Sequence, residues 1–222
     1  MRFHDREHAG RLLAVKLDGD RYRNAVVLGL TRGGMPVALE VARQLDAPLD
    51  MIVVRKISLP GTRSQAIGAI AEGGATFMNP TVLRETGLAD EEVAALAEAE
   101  VAELSRRVRL YRGERPPPHL AGRSVIVVDD GVVTGVSARA AGRAVRQRGA
   151  RRVVLAAPVV AAAAEPELRQ DFDEVVALET PAEPFAIGDR YQRFEEVGDD
   201  QVLACLRRGF EEAEWREARA GA

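Results

Sequence analysis

Val125-Ile126-Val127-Val128-Asp129-Asp130-Gly131-Val132-Val133-Thr134-Gly135-Val136-Ser137 reads as a strand that ends in two adjacent carboxylates and then a glycine-containing turn opening a helix. Four consecutive apolar residues suit a strand covered on both faces of a parallel sheet; a strand with one wet face would alternate. Asp129 and Asp130 stand at its carboxyl end, where ligands collect in an open α/β sheet because strand tips and helix N-termini frame the loops there. The turn supplies two glycines and the hydroxyls of Thr134 and Ser137 ahead of a helical pattern beginning near Val136. Backbone N–H groups, hydroxyls and the positive end of a helix dipole then converge on an anion. Two acids side by side at a buried edge are costly without polar partners. A diol-bearing anionic ligand explains them better than a plain βα turn whose acids cap the helix.

Outward from this stretch, apolar runs and helical patterns alternate. Asp5 to Leu17 has leucines and valine at helical spacing, with Asp18-Gly19-Asp20 as its stop. Ala25 to Leu30 is the first strand, Gly34 to Leu45 a helix with Pro36 in its first turn, and Leu49 to Val54 the second strand. Ile57 to Ala66 reads as a loop around Pro60-Gly61. Ala66 to Ala71 and Ala75 to Met78, joined by Glu72-Gly73-Gly74, form a short hairpin. Asp90 to Arg112 is the longest helical pattern, read as a solvated helix laid over the sheet. Beyond Pro116-Pro117-Pro118, a stiff connector, come the opening stretch, its helix to about Arg148, the strand Val153 to Pro158, a short helix from Glu165 to Asp171 and the strand Glu174 to Leu178. Asp199 to Ala218 is an amphipathic helix carrying Val202, Leu203, Leu206, Phe210 and Trp215. This order specifies an α/β fold, a parallel sheet of about five strands with helices on both faces.

Two further loops carry chemistry at the same end of the sheet. Thr31-Arg32-Gly33-Gly34 follows the first strand and precedes a helix; paired glycines let amides approach an anion and Arg32 adds a fork of donors. Arg55-Lys56 follows the second strand. Lys56 is one of two lysines, with Lys16, in a chain whose lysines and arginines total 31, so its place at a strand tip is unlike ordinary surface usage. His4-Asp5-Arg6-Glu7-His8 matches an H-x-x-E-H zinc pattern but has no evident third ligand segment and reads as a polar helix start.

Composition bounds the rest. The chain has 222 residues, 46% apolar and 29% charged, which suits one globular domain over 1–222 with a small accessory lobe. No apolar run is long enough for a membrane span and the polar start lacks a signal-peptide core, so a cytoplasmic location is expected. Cys205, the only cysteine, excludes an internal disulfide and reads as a small core residue. A net charge of -3 argues against a broad nucleic-acid footprint. Dinucleotide and P-loop glycine motifs are absent from the sequence.

The spacing of Val125 to Ser137 resembles the phosphoribosyl diphosphate (PRPP) signature of type I phosphoribosyltransferases. The resemblance implies that Asp129 and Asp130 bond the ribose 2- and 3-hydroxyls while Val133, Thr134, Gly135, Val136 and Ser137 hold the 5-phosphate, with Gly131 and Val132 completing the PRPP-binding segment. Thr31-Arg32-Gly33-Gly34 is similar to the family's diphosphate loop, with Thr31 where close relatives often carry proline. Arg55-Lys56 resembles the pair that opens the mobile catalytic loop of orotate phosphoribosyltransferases, here about Ile57 to Gln65. Phe3-His4-Asp5-Arg6 with Ala9-Gly10, Ala66 to Gly74, and Ala186-Ile187-Gly188 with Tyr191 and Phe194 look like a bacterial group of phosphoribosyltransferases of unassigned substrate. The group implies a core of about 21–180 with a helical insertion at about 80–115, and a hood from 181–222 with a contribution from 1–20.

The implied reaction transfers ribose 5-phosphate from PRPP to a nitrogenous base or related amine, releasing diphosphate, with catalytic roles for Lys56, Arg55, Arg32, Asp129 and Asp130. Mg²⁺ is the implied cofactor, touching Asp129 and Asp130 through water. Val133 stands where hypoxanthine-guanine enzymes lead to a base-contacting aspartate, which disfavours a 6-oxopurine acceptor of the usual kind. Pro181 to Phe194 would hold the acceptor, and a homodimer is implied. Two alternatives stay open, a non-catalytic PRPP-sensing regulator and a structural oligomer component without PRPP affinity.

Overall fold

Alternate residues of the apolar strands go to opposite sides of one sheet. Val27, Ile126, Val128, Val154 and Ala156 join one core, while Val26, Leu28, Val125, Val127, Val153 and Leu155 join the other. Because neither face meets water, the strands need no polar alternation. Each such side chain contributes about 1.5–3 kcal/mol relative to exposure. The computed structural model describes residues 2–17, 19–59 and 66–220, without the side chains of 213 and 215–220.

The sheet contains β1 (Val26–Leu30), β2 (Leu49–Ile52), β6 (Ser124–Val128), β7 (Arg152–Val159) and β8 (Glu174–Glu179), in the order β2-β1-β6-β7-β8. All four pairings are parallel, with Gly29 opposite Val128. From β1 the chain crosses through α2 (Gly34–Leu45) to β2 on one side; from β6 it crosses through α5 (Val136–Gln147) to β7 on the other. β1 and β6 are therefore the strands between which the winding reverses, and their loops part to leave a crevice at their carboxyl ends. α1 (Arg6–Lys16), α2 and α7 (Asp199–Ala220) cover one face and α5 the other. Asp5 caps α1, its carboxylate accepting the His8 N–H at 2.8 Å, so the His4 to His8 stretch begins a helix as its polarity suggested.

The second strand differs from the sequence reading. It ends at Ile52, and after Val53 the chain enters β3 (Val54–Ser58), which pairs antiparallel with β4 (Ala66–Ala71); β4 pairs with β5 (Thr76–Met78) in a separate three-stranded sheet. Arg55 and Lys56 therefore lie inside a strand, opposite Ile70 and Ala69, rather than opening a loop. The apolar run through Val54 hides the change of sheet, because Ile52, Val53 and Val54 are buried before, at and after the break. α3 (Pro80–Thr86), capped by Asn79, follows β5 and was not foreseen. α4 (Asp90–Arg112) has its expected bounds but packs chiefly on β3 and β4, reaching the parallel sheet through Arg112, which bonds Asp50 of β2. α6 (Glu165–Leu168) is shorter than expected and is preceded by a 3-10 turn at Ala162–Ala164. In α7, Val202 and Leu206 are buried and Leu203 and Phe210 pack against the core; the expectation for Trp215 falls on a side chain outside the described residues.

Candidate functional site

β6 delivers Asp129 and Asp130 to the crevice. The Asp129 N–H continues the ladder to the Ala156 carbonyl at 3.1 Å, and its carboxylate Oδ1 accepts the Asp130 N–H at 2.9 Å. Burial first, and the charge of Asp130 second, push the Asp129 carboxyl well above the ordinary carboxylate range, while Lys56 pulls it down. Asp130 is buried, and its Oδ2 accepts from Arg6 Nε at 2.8 Å. The Tyr191 hydroxyl donates to the Asp130 carbonyl at 2.6 Å, and burial raises that phenol above its ordinary value.

The turn after the acids is shaped by glycine. A Cβ on Gly131 would meet Ile187 Cγ2 at 2.7 Å, and Gly135 takes φ of 72° as the residue before α5. α5 has no side-chain cap and no acid in its first turn, so its leading amides and dipole are left for an anion. Val133 and Thr134 are exposed at this turn. The loop after β1 is drawn against the acids: a Cβ on Gly33 would sit 2.1 Å from Asp130 Oδ2, and one on Gly34 2.4 Å from the Val128 carbonyl oxygen. Only glycine permits that approach.

A cleft of about 1070 Å³ collects most of the expected residues: Thr31, Arg55, Lys56, Asp129, Asp130 and the whole turn from Gly131 to Ser137. Arg32, Gly33 and Gly34 do not line it. Arg32 turns to the other side of its loop, where it pairs with Glu196 and lies 3.7 Å from Asp199. There a second hollow of about 340 Å³ is bordered by Arg6, Arg32, Gly33, Asp130 and Phe194. Asp130 thus borders both cavities. Arg55 crosses to α4, pairing with Glu100 at 2.8 Å, whereas exposed Lys56 has no ion-pair partner among the described residues. The buried Thr31 hydroxyl has no hydrogen-bond partner among the described residues. Of the loop Ile57 to Gln65, residues 60–65 lie outside the described residues.

Sequence reasoning gave Arg6 no role and placed Tyr191 only within the stretch expected to hold the acceptor. Both belong to stretches quoted for the resemblance, but their partner is 124 and 61 positions away. Arg107 also lines the cleft, held by Glu103 at 2.7 Å, and in sequence it is indistinguishable from the solvated charges of α4.

The chain matches the phosphoribosyl transferase domain family over residues 3–192. It belongs to that family. Two curated relatives from strains of Mycobacterium tuberculosis, each named "Putative phosphoribosyl transferase", are 44% identical over 206 residues, 93% of this chain and 46% of theirs. The chain spans about half the length of these relatives. The crystal structure of TT1426 from Thermus thermophilus is 45% identical, with a TM-score of 0.78 over 93% of this chain and 98% of that one. The span matched to the phosphoribosyl transferase domain takes in Arg6, both glycine loops, the acid pair and Tyr191, and stops before Phe194 and Glu196.

Proposed function

We propose that the chain transfers ribose 5-phosphate from PRPP to a nitrogenous base or related amine, with release of diphosphate. One observation carries the reading: the acid pair, the uncapped N-terminus of α5 and Lys56 all face one cleft. The turn amides and the Thr134 and Ser137 hydroxyls hold the 5-phosphate. Asp129 and Asp130 accept from the ribose hydroxyls and fix the sugar ring. The bond from ribose C1 to the diphosphate oxygen breaks with its electron pair leaving on diphosphate, and a C1–N bond forms to the acceptor, which sheds its proton. Lys56 and Arg55 stabilise the negative charge that gathers on the departing oxygen. Arg32 adds to this by leaving Glu196 and swinging back across its loop to the departing diphosphate.

The residues fit Mg²⁺ as a visitor carried by substrate. Among the described residues no group of three or more His, Cys, Asp or Glu is placed to cage an ion, and no described cation pairs with Asp129, an acid at the cleft that feels Lys56 through its charge. Asp129, with Asp130, would contact the ion through water. When bound to diphosphate and ribose oxygens, Mg²⁺ offsets their charge. In this reading the hood, expected over 181–222 with a contribution from 1–20, is built from the segment that precedes α7 and the start of α1, since α7 lies on the sheet and α2, and apolar Val133 leaves the acceptor without an acid at that position.

A non-catalytic PRPP sensor is the second reading, favoured by the engagement of Arg32 and Arg55 with carboxylates of the chain itself. Incubation with PRPP, Mg²⁺ and a panel of bases and amines, following diphosphate release, separates the two. Turnover with one acceptor that falls at least a hundredfold in Lys56→Ala is the expected result. Calorimetric PRPP binding without turnover, unchanged in Lys56→Ala, would establish the sensor.

A further inference from the structure

Asp130 is gripped from behind. Its Oδ2 is taken by Arg6 Nε at 2.8 Å, with both side chains 11% exposed, and its carbonyl by Tyr191. Arg6 is itself fixed on two further sides: Nη1 donates to the Glu195 carbonyl at 2.7 Å, and the guanidinium lies 3.9 Å from the Phe194 ring centre. Arg6 borders the small hollow and not the large cleft, so it stands on the far side of Asp130 from the proposed ligand. No N–H donor among the described residues bonds Asp130 Oδ1, and the only side-chain partner left to this carboxyl besides Arg6 is the neighbouring Asp129 carboxyl.

We propose that Arg6 is a positioning residue for sugar recognition: by occupying Oδ2 and compensating the charge of Asp130, it presents Oδ1 to the ribose hydroxyls. This rests on the PRPP reading of the cleft and assigns to it a residue 124 positions ahead of Asp130 in the chain. Two uncompensated carboxylates would repel a polyanionic sugar, and a desolvated guanidinium behind one of them removes most of that repulsion. A guanidinium meets this geometry because it serves Asp130 and the Glu195 carbonyl in one plane, which an ammonium does not. The role differs from that of Lys56, which faces the cleft and addresses the diphosphate.

Calorimetry with ribose 5-phosphate, 2-deoxyribose 5-phosphate and PRPP, each with MgCl₂, tests the assignment in wild type, Arg6→Met and Arg6→Lys. Wild type is expected to prefer ribose 5-phosphate over its 2-deoxy form at least tenfold. Arg6→Met is expected to lose that preference while still binding both sugars through the phosphate turn, with millimolar guanidinium chloride restoring it, and Arg6→Lys is expected to recover it only partly. Wild-type preference retained in Arg6→Met overturns the proposal and leaves the PRPP reading standing. Equal loss of both sugars in both variants, without rescue by guanidinium, marks Arg6 as structural and also overturns it. Failure of wild type to bind PRPP removes the parent reading, and this proposal with it.

Discussion

Asp129 is held in a setting that opposes its own charge. Its carboxyl is raised by burial and by Asp130, and Arg6 serves the neighbour rather than Asp129. A raised acid retains its proton in the folded protein at pH values where the unfolded chain, titrating near 3.9, has released it. The folded state then binds more protons, so stability is fully present below about pH 4 and declines as pH rises through the raised value. Asp129→Asn cannot ionise. It is expected to be more stable than wild type by about 1 kcal/mol at pH 7, with the gap closing towards pH 4. Urea midpoints across that range check this, and a gap independent of pH would count against it. The same variant is expected to lose PRPP affinity, since the amide cannot serve as a charged acceptor.

At the scale of elements, the question is what fastens the three-stranded sheet, which carries Arg55 and Lys56, to the parallel sheet. Buried Arg112, at the end of α4, bonds Asp50 of β2 at 2.8 Å and Glu72 of the β4–β5 turn at 3.0 Å, joining three elements. Phe77 of β5 adds a second tie, lying 4.0 Å beneath the guanidinium of Arg139 on α5. Arg112→Leu strands two carboxylates in the interior and is expected to cost about 3–5 kcal/mol. Urea denaturation measures it; adding Asp50→Leu and Glu72→Gln should recover at least half, and a single-variant cost under about 1 kcal/mol would contradict the buried character of the cluster. The parallel strands were legible because uninterrupted apolar runs have one explanation in a sheet covered twice. β3 was not legible: Arg55-Lys56 after an apolar run looks like a strand tip, and its pairing with Ile70 and Ala69 of β4 is set by tertiary contact. The expected surroundings of Asp129 and the α5 turn followed from local order, whereas the turning away of Arg32 depends on Glu196, far along the chain.

Across the whole molecule, the amino-terminal end of the described chain and the end of the segment that precedes α7 meet at the site. Phe3 and Tyr191 form a parallel bridge, with the Phe3 N–H donating to Arg190 at 2.8 Å and the Gln192 N–H donating to Phe3 at 2.8 Å. Their rings lie 5.4 Å apart, and Tyr191 stacks on Phe194, which lies under Arg6. Tyr191, which bonds Asp130, belongs with Phe3 and Ala9 to a small cluster that meets one of the two large cores at Leu178. Its small size makes this cluster a unit able to open ahead of the large cores. Phe3→Ala removes a fully buried ring and is expected to cost this unit about 3–5 kcal/mol. Hydrogen exchange followed by mass spectrometry should then show residues 3–9 and 187–195 exchanging faster and together, while β1, β6 and β7 keep their protection. PRPP affinity should fall in the same variant, because Arg6 and Tyr191 leave Asp130 when the unit opens. Faster exchange at the amino terminus alone, with 187–195 unchanged, would mean that the two ends do not form one cooperative element and that Asp130 is positioned by the sheet without them.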